Sequence, residues 1–254
     1  MNKLNSLIFV LFSLALGQNN LELGIKNYNE RAKNSNGVRA DSKPIDSAIG
    51  YFERAIKIKE HELEAGVFLL KCYYFKGKHV ADSDKDRKSI YNLGKALAEK
   101  LIIIYPESAA IRYWYLVNLG SWAEVYGTLA AAREGVADIM REQSKKIIDI
   151  DPYYENGGGY FMLGAVHLKS PKIPFFLSWP DNKKAVDYLT KAFNTGQRTP
   201  SQTVYLARAL KKTGNKKEAK QLLLDLIDNP LNENRIVEDR DQKYIAENLI
   251  KEWG

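Results

Sequence analysis

Residues Thr203–Pro230 read TVYLARALKKTGNKKEAKQLLLDLIDNP. Leu206, Ala207 and Leu210 fall on one face of a helix with a period of 3.6 residues. Gly214 breaks that helix, and Ala219, Leu223 and Leu226 form one face of a second. Ala207 and Ala219 occupy positions where two antiparallel helices cross closely, and a bulky side chain there would force the axes apart. A single hairpin of this kind cannot cover its own apolar stripe, so the pattern requires stacked copies.

The spacing is that of a tetratricopeptide repeat, and four further copies lie upstream of it. The first has a helix over Asn20–Lys33, a polar loop over Asn34–Lys43 with a turn at Asn36-Gly37, and a second helix entered at Pro44 and carrying Ala48, Phe52 and Ala55. The second starts at His61, places Leu69, Leu70, Tyr73 and Gly77 at the spacing of Leu206, Ala207, Leu210 and Gly214, and continues with Gly94, Ala98 and Leu101 before Pro106. Lys78–Lys88 between them reads as a charged insertion. The third opens with a long aromatic helix over Ser108–Gly135, with Tyr115, Leu119, Trp122 and Tyr126 on one stripe. Leu119-Gly120 and Val117-Asn118 fit its register equally, and a second helix spans Ala137–Ile150. The fourth places Tyr160, Leu163, Gly164 and His167 on the first helix and Ala185, Leu189 and Ala192 on the second. A last helix over Val237–Trp253 covers the open end, as terminal units must. The fold class is therefore all-α: a right-handed α-solenoid of about five tetratricopeptide-like hairpins with a C-terminal capping helix. The expected insertions all fall between the first and second helix of a repeat, which predicts one loop-bearing rim.

The N-terminal stretch MNKLNSLIFVLFSLALGQ differs from the rest. Lys3 gives a basic start, Leu7–Leu16 is apolar, and Ala15 and Gly17 are small residues where a signal peptidase reads. The run is too short for a confident membrane span. An uncleaved anchor or a buried first helix is the alternative. Gln18, not Cys, follows the expected cut, so no lipid attachment is predicted. The organisation expected is a signal peptide over residues 1–17 and one solenoid domain over 18–254, in the periplasm or secreted, with no stable membrane span in the mature chain. Cys72 is the only cysteine, which excludes an internal disulfide framework. It lies in an apolar helix and reads as a small core side chain. The net charge is +7, falling to about +6 without Lys3, and is scattered. No basic run is interleaved with aromatics as a nucleic-acid groove requires, so no nucleic-acid partner is expected.

No chemistry-bearing set converges. HELEA at His61 is not HExxH, because Ala65 stands at the second ligand position, and His79 and His167 are isolated. There is no G-x-S-x-G elbow and no phosphate-binding loop of Walker type. No catalytic residue, metal or cofactor is predicted. Gly157-Gly158-Gly159 precedes a helix, which allows either an anion on free backbone N–H groups or close helix packing.

Candidate binding residues come from two places. In the register of the last repeat, first-helix residues Val204, Arg208, Lys211 and Lys212 face the concave side. Val67, Lys71 and Tyr74 are their equivalents in the second repeat, and Phe161, Ala165 and Lys169 in the fourth. That lining suits a peptide or an acidic group, and equally an ordinary solvated face. The second place is the loop Lys169–Asn182, KSPKIPFFLSWPDN. Pro171, Pro174 and Pro180 stiffen it, and Phe175, Phe176, Leu177 and Trp179 are too apolar to lie free in water. They cover the groove, pack on a sister subunit, meet a partner, or plug the gap between repeats three and four.

The run from Tyr113 to Ala192 contains YWYLVNLGSWAEVYG and IIDIDPYYENGGGYFMLGAVHLKSPKIPFFLSWPDNKKAVDYLTKAF. It resembles the T component of TRAP transporters, an exported bacterial tetratricopeptide-repeat family. The resemblance implies a periplasmic, all-helical, non-enzymatic protein that trimerises and meets a solute-binding protein of the transport system. Some members are lipoproteins, and the absent lipobox departs from them. The leading function is a protein-interaction scaffold acting as a periplasmic accessory of TRAP-type solute uptake. The alternative is a small-molecule carrier holding an apolar or carboxylate ligand in the groove.

Overall fold

The computed structural model describes residues 19–173, 175 and 177–254. The expected signal peptide over 1–17 lies outside them, as do Pro174 and Phe176. In chain order the helices are α1 (residues 19–29), α2 (Ser42–Ala55), α3 (Glu62–His79), α4 (Asp84–Ile104), α5 (Ala109–Tyr126), α6 (Thr128–Arg133), α7 (Val136–Ile150), α8 (Gly158–Lys169), α9 (Asn182–Phe193), α10 (Pro200–Lys212), α11 (Lys216–Asp228) and α12 (Ile236–Trp253). Among the described residues the only extended pairings are isolated bridges, Asn36 with Arg39 and Ile173 with Leu177. The chain is all-α, as the helical periodicity requires. It forms two compact units, one of residues up to Pro106 with Val117–Tyr126, the other of Glu107–Leu116 with Gly127–Gly254. The first half of α5 thus belongs to the second unit and its second half to the first.

In the first unit, pairs of large and small residues set the helix crossings. Phe52 of α2 is fully buried, and its ring lies 2.6 Å from where a Cβ on Gly24 of α1 would stand. Ala48 and Ala55 flank it, also fully buried. A large side chain such as Phe52 contributes about 1.5–3 kcal/mol when removed from water. The turn between α1 and α2 lies against the end of α3. Ala40 donates its N–H to the His79 carbonyl at 2.9 Å, His79 Nδ1 donates to the Val38 carbonyl at 3.1 Å, and Arg39 pairs with Asp82. Between α3 and α4 the expected insertion is absent. Lys78 and His79 finish α3, Ser83 caps α4 by accepting the Asp86 N–H, and Asp84 and Asp86 occupy the first turn of α4, where negative charge is favoured. Only residues 80–83 join the two helices. Gly77, read as a turn residue, is helical and buried, with the Tyr91 ring 2.5 Å from its missing Cβ.

The long aromatic helix also departs from expectation. It stops at Tyr126, because Gly127 takes φ +88°, and the short α6 ends before Gly135 at φ +66°. These are left-handed conformations that glycine adopts without steric cost. Within α5 the Asn118 side chain is fully buried, donates to the Leu70 carbonyl at 3.0 Å, and lies against Gly94 of α4.

The second unit follows the sequence pattern closely. Gly164 of α8 leaves room for Leu189 of α9, whose Cγ would be 2.6 Å from an added Cβ. Ala185, Leu189 and Ala192 are fully buried, as are Ala207, Ala219 and Leu223 of the final hairpin. Thr199 and Gln202 form a capping box at the start of α10, satisfying two N–H groups that the helix itself cannot. Gly214 at φ +96° makes the turn into α11. α12 packs on α10 and α11 and buries Val237, Ala246 and Leu249. No described helix is long and apolar enough to cross a membrane.

Candidate interaction surface

α8 is apolar on nearly every face, so it sits between α7 and α9 with Met162–Leu168 buried. The loop that leaves it is organised by its two ends. Ile173 and Leu177 exchange both backbone N–H···O bonds at 2.8 Å, closing a tight hairpin. Phe175 at its tip is 106% exposed and has φ +66°. A non-glycine residue held there costs about 1–2 kcal/mol. Phe176 belongs to the same candidate set but lies outside the described residues.

The return strand of the loop is anchored. Trp179 is half-buried, and its Nε1 donates to Asp138 Oδ1 of α7 at 2.9 Å. The Arg141 guanidinium lies 4.5 Å from the Trp179 ring centre and pairs with Asp138 at 3.1 Å. The His167 and Trp179 rings meet edge to face at 5.0 Å, and His167 stacks near Tyr188 at 5.7 Å. Asp181 donates its N–H to His167 Nδ1 at 3.1 Å and caps α9 by accepting from Lys183 and Lys184. These N–H groups, that of Lys184 foremost, hold the Asp181 carboxyl below its ordinary range. Burial, followed by the charge of Lys184, keeps the His167 imidazole below its ordinary range and therefore neutral at pH 7. Trp179 thus joins α7 to α8, which is the plugging role, while Phe175 takes no part in it. Sequence reasoning treated these residues as one group. It missed the anchoring roles of Asp138, Arg141 and His167, for which the only local signal is the i,i+3 spacing of the Asp138–Arg141 pair.

The first-helix residues divide between the units. In the first, Lys71 and Tyr74 are half-buried, with Lys71 Nζ 5.2 Å from the centre of Phe68, a ring stacked on Phe52 at 4.9 Å. In the second, Arg208 and Lys211 are half-buried. Lys211 is drawn over Trp253 of α12 at 4.4 Å, so it faces the cap and not an open groove. Lys212 donates to the Leu168 carbonyl at 2.9 Å. Phe161 meets Tyr205 edge-on at 5.1 Å, with Lys169 Nζ 5.7 Å from the Tyr205 centre. Two expectations need correction. Val204 and Ala165 are buried, because α10 and α8 are covered on more than one side and leave only a narrow stripe for solvent.

The glycine run is a packing device. A Cβ on Gly157 would meet Thr195 at 2.8 Å, one on Gly158 would meet Tyr113 at 2.5 Å, and one on Gly159 would meet Ile148 at 2.8 Å. The Gly157 and Gly158 N–H groups, which an anion would need, already donate to the Tyr153 and Tyr154 carbonyls. Asn156, at φ +58°, accepts the Gln197 N–H at 2.9 Å, and its carbonyl accepts from Gln202 at 2.7 Å. Cys72 is fully buried and its thiol is pushed up by burial, which is the opposite of a reactive thiolate. Among the described residues, no three His, Cys, Asp or Glu side chains gather closely enough to hold a metal ion.

No family model matches the chain, and no curated protein matches it. Among solved structures, the crystal structure of a thermophilic TPR protein of Thermus thermophilus superposes with a TM-score of 0.60. The match covers 93% of this chain and 98% of that one at 16% sequence identity. The fold is tetratricopeptide-like. At that identity the likeness extends to the backbone architecture.

Proposed function

We propose that this protein is a non-enzymatic interaction scaffold acting outside the cytoplasm as an accessory of TRAP-type solute uptake, with the tip of the Lys169–Asn182 loop as its docking element. The observation that carries the proposal is Phe175: a fully exposed aromatic in a strained left-handed conformation, projected from a hairpin whose base is fixed. Strain of this kind persists only where surrounding structure enforces it, and it concentrates at binding and switching sites. Tetratricopeptide-like stacks are generally protein-interaction frames, which supports the coarse reading. The segments around Tyr113–Ala192 that resemble the T component support the transport reading, with a periplasmic solute-binding protein as partner and a trimer as the assembly.

The test is site-specific photocrosslinking in the native host. Benzoylphenylalanine at position 175 is expected to give an adduct with a solute-binding protein or with a second copy of the chain. The same probe at Tyr244, exposed on α12, is the control. Equal and indiscriminate adducts from both positions would overturn the proposal.

A further inference from the structure

We infer that His167 is a pH-sensitive latch controlling how firmly the docking loop is held, an inference that rests on the loop reading above. The geometry is a hydrogen bond of fixed direction. A backbone N–H can only donate, so the Asp181 N–H at 3.1 Å requires an unprotonated Nδ1 on His167. The imidazole is therefore the neutral tautomer carrying its proton on Nε2. Its ring also meets Trp179 edge to face, with Tyr188 on a neighbouring side. One side chain of α8 thus fixes both Trp179 and the last loop residue before α9.

Protonation adds a second donor at Nδ1, facing the Asp181 N–H. The hydrogen bond is replaced by two opposed donors, and the imidazolium is left buried. Burial sets the direction of the His167 titration. It disfavours the cation most, Lys184 on α9 and Arg141 and Lys145 on α7 disfavour it further, and Asp181 favours it. Tyr188 on α9 packs against the ring and is uncharged in the pH range concerned. The folded-state value is thus below the unfolded value. The contribution of neutral His167 is complete above the ordinary value of 6.5 and is lost as pH falls through the lower folded value. Acidification frees the Asp181 N–H and weakens one of the contacts on Trp179, leaving its bond to Asp138, so the return strand of the loop is held less firmly where it enters α9. A loop held this way docks at neutral pH and is loosened in an acidifying compartment.

The experiment is amide hydrogen exchange of residues 177–182 in the whole protein from pH 7.5 to 5, corrected for intrinsic exchange, beside an NMR titration of the His167 ring. The expected result is a His167 midpoint below 6.5, with protection of the Asp181 amide falling at least tenfold through the same range. His167→Gln, whose side-chain oxygen can accept the same N–H without titrating, should remove the pH dependence. Far-UV circular dichroism at both pH values establishes that the helices stay folded. A midpoint at or above 6.5, unchanged protection through the titration, or the same pH dependence in His167→Gln would overturn the latch. Crosslinking from position 175 at pH 7.5 bears on the docking role separately. Its failure with a pH-dependent Asp181 amide would remove the docking reading and leave the latch.

Discussion

Adding one methyl group at Gly94 tests the packing of the first unit directly. A Cβ there would overlap the Asn118 carboxamide, with Cγ 2.7 Å and Cβ 3.2 Å away. Asn118 is fully buried and holds the Leu70 carbonyl, so it cannot move aside without breaking that bond. Overpacking a filled interface costs about 1–3 kcal/mol. Leaving a buried polar group unmatched adds about 1–3 kcal/mol. The better helix propensity of alanine offsets about 1 kcal/mol. Gly94→Ala should therefore destabilise by about 1–5 kcal/mol, against the usual benefit of that substitution in a helix. Gly50→Ala on α2 is the internal control, because its nearest neighbour is the end of a flexible Arg54 side chain at 3.8 Å. That variant should gain about 0.5–1 kcal/mol. Urea unfolding followed by circular dichroism gives both midpoints. In the double variant Gly94→Ala with Asn118→Ala the overlap with the carboxamide is gone and only the 3.2 Å approach of the two Cβ atoms remains, so the two losses should couple by about 0.5–3 kcal/mol. A Gly94→Ala midpoint at or above that of the unmodified protein, or strict additivity in the cycle, would refute the assigned crossing.

Ala219→Leu should lower the urea midpoint by the equivalent of about 1–3 kcal/mol, since Ala219 is fully buried at the final hairpin crossing. Trp179→Ser should lower the thermal midpoint by several degrees, because it removes the bond to Asp138 and the contact with His167, whereas Phe175→Ser should leave it within about 1 °C, as expected of a surface change. Cys72 should resist a thiol reagent at pH 8 in the folded protein and react only on unfolding, as its burial and raised thiol require. Intact-mass analysis of protein from the native host should find residues 1–17 removed; a mass retaining Met1 would contradict export with cleavage.

Most of the hairpin register could be read directly because its signal is local. Ala48, Phe52 and Ala55, Ala185, Leu189 and Ala192, and Ala219, Leu223 and Leu226 repeat one spacing of an alanine, a large side chain and a third apolar residue, and all are buried. Where reading failed, a local cue was ambiguous or the determinant was distant. Lys78–Lys88 is rich enough in charge to resemble a loop, yet Ser83 followed by Asp84 and Asp86 is a helix start. Gly77 has the spacing of a turn glycine but serves the Tyr91 ring. Val204 and Ala165 lie on the predicted exposed stripe of their helices, but neighbouring helices cover them from two sides, which no single-helix pattern can express. The apolar loop was legible as unusual. Its division into an anchored Trp179 and an exposed Phe175 was not, because the anchor is Asp138, 41 positions away in the chain.

The central claim is that a folded helical frame presents Phe175 for docking. The most direct test is calorimetric titration of a purified TRAP-type solute-binding protein against the unmodified chain and Phe175→Ser at pH 7.5. An aromatic at the centre of an interface contributes about 2 kcal/mol or more, so the affinity should fall at least tenfold while the melting curves of the two proteins coincide. Equal affinities, or a loss of binding accompanied by early melting, would contradict the account.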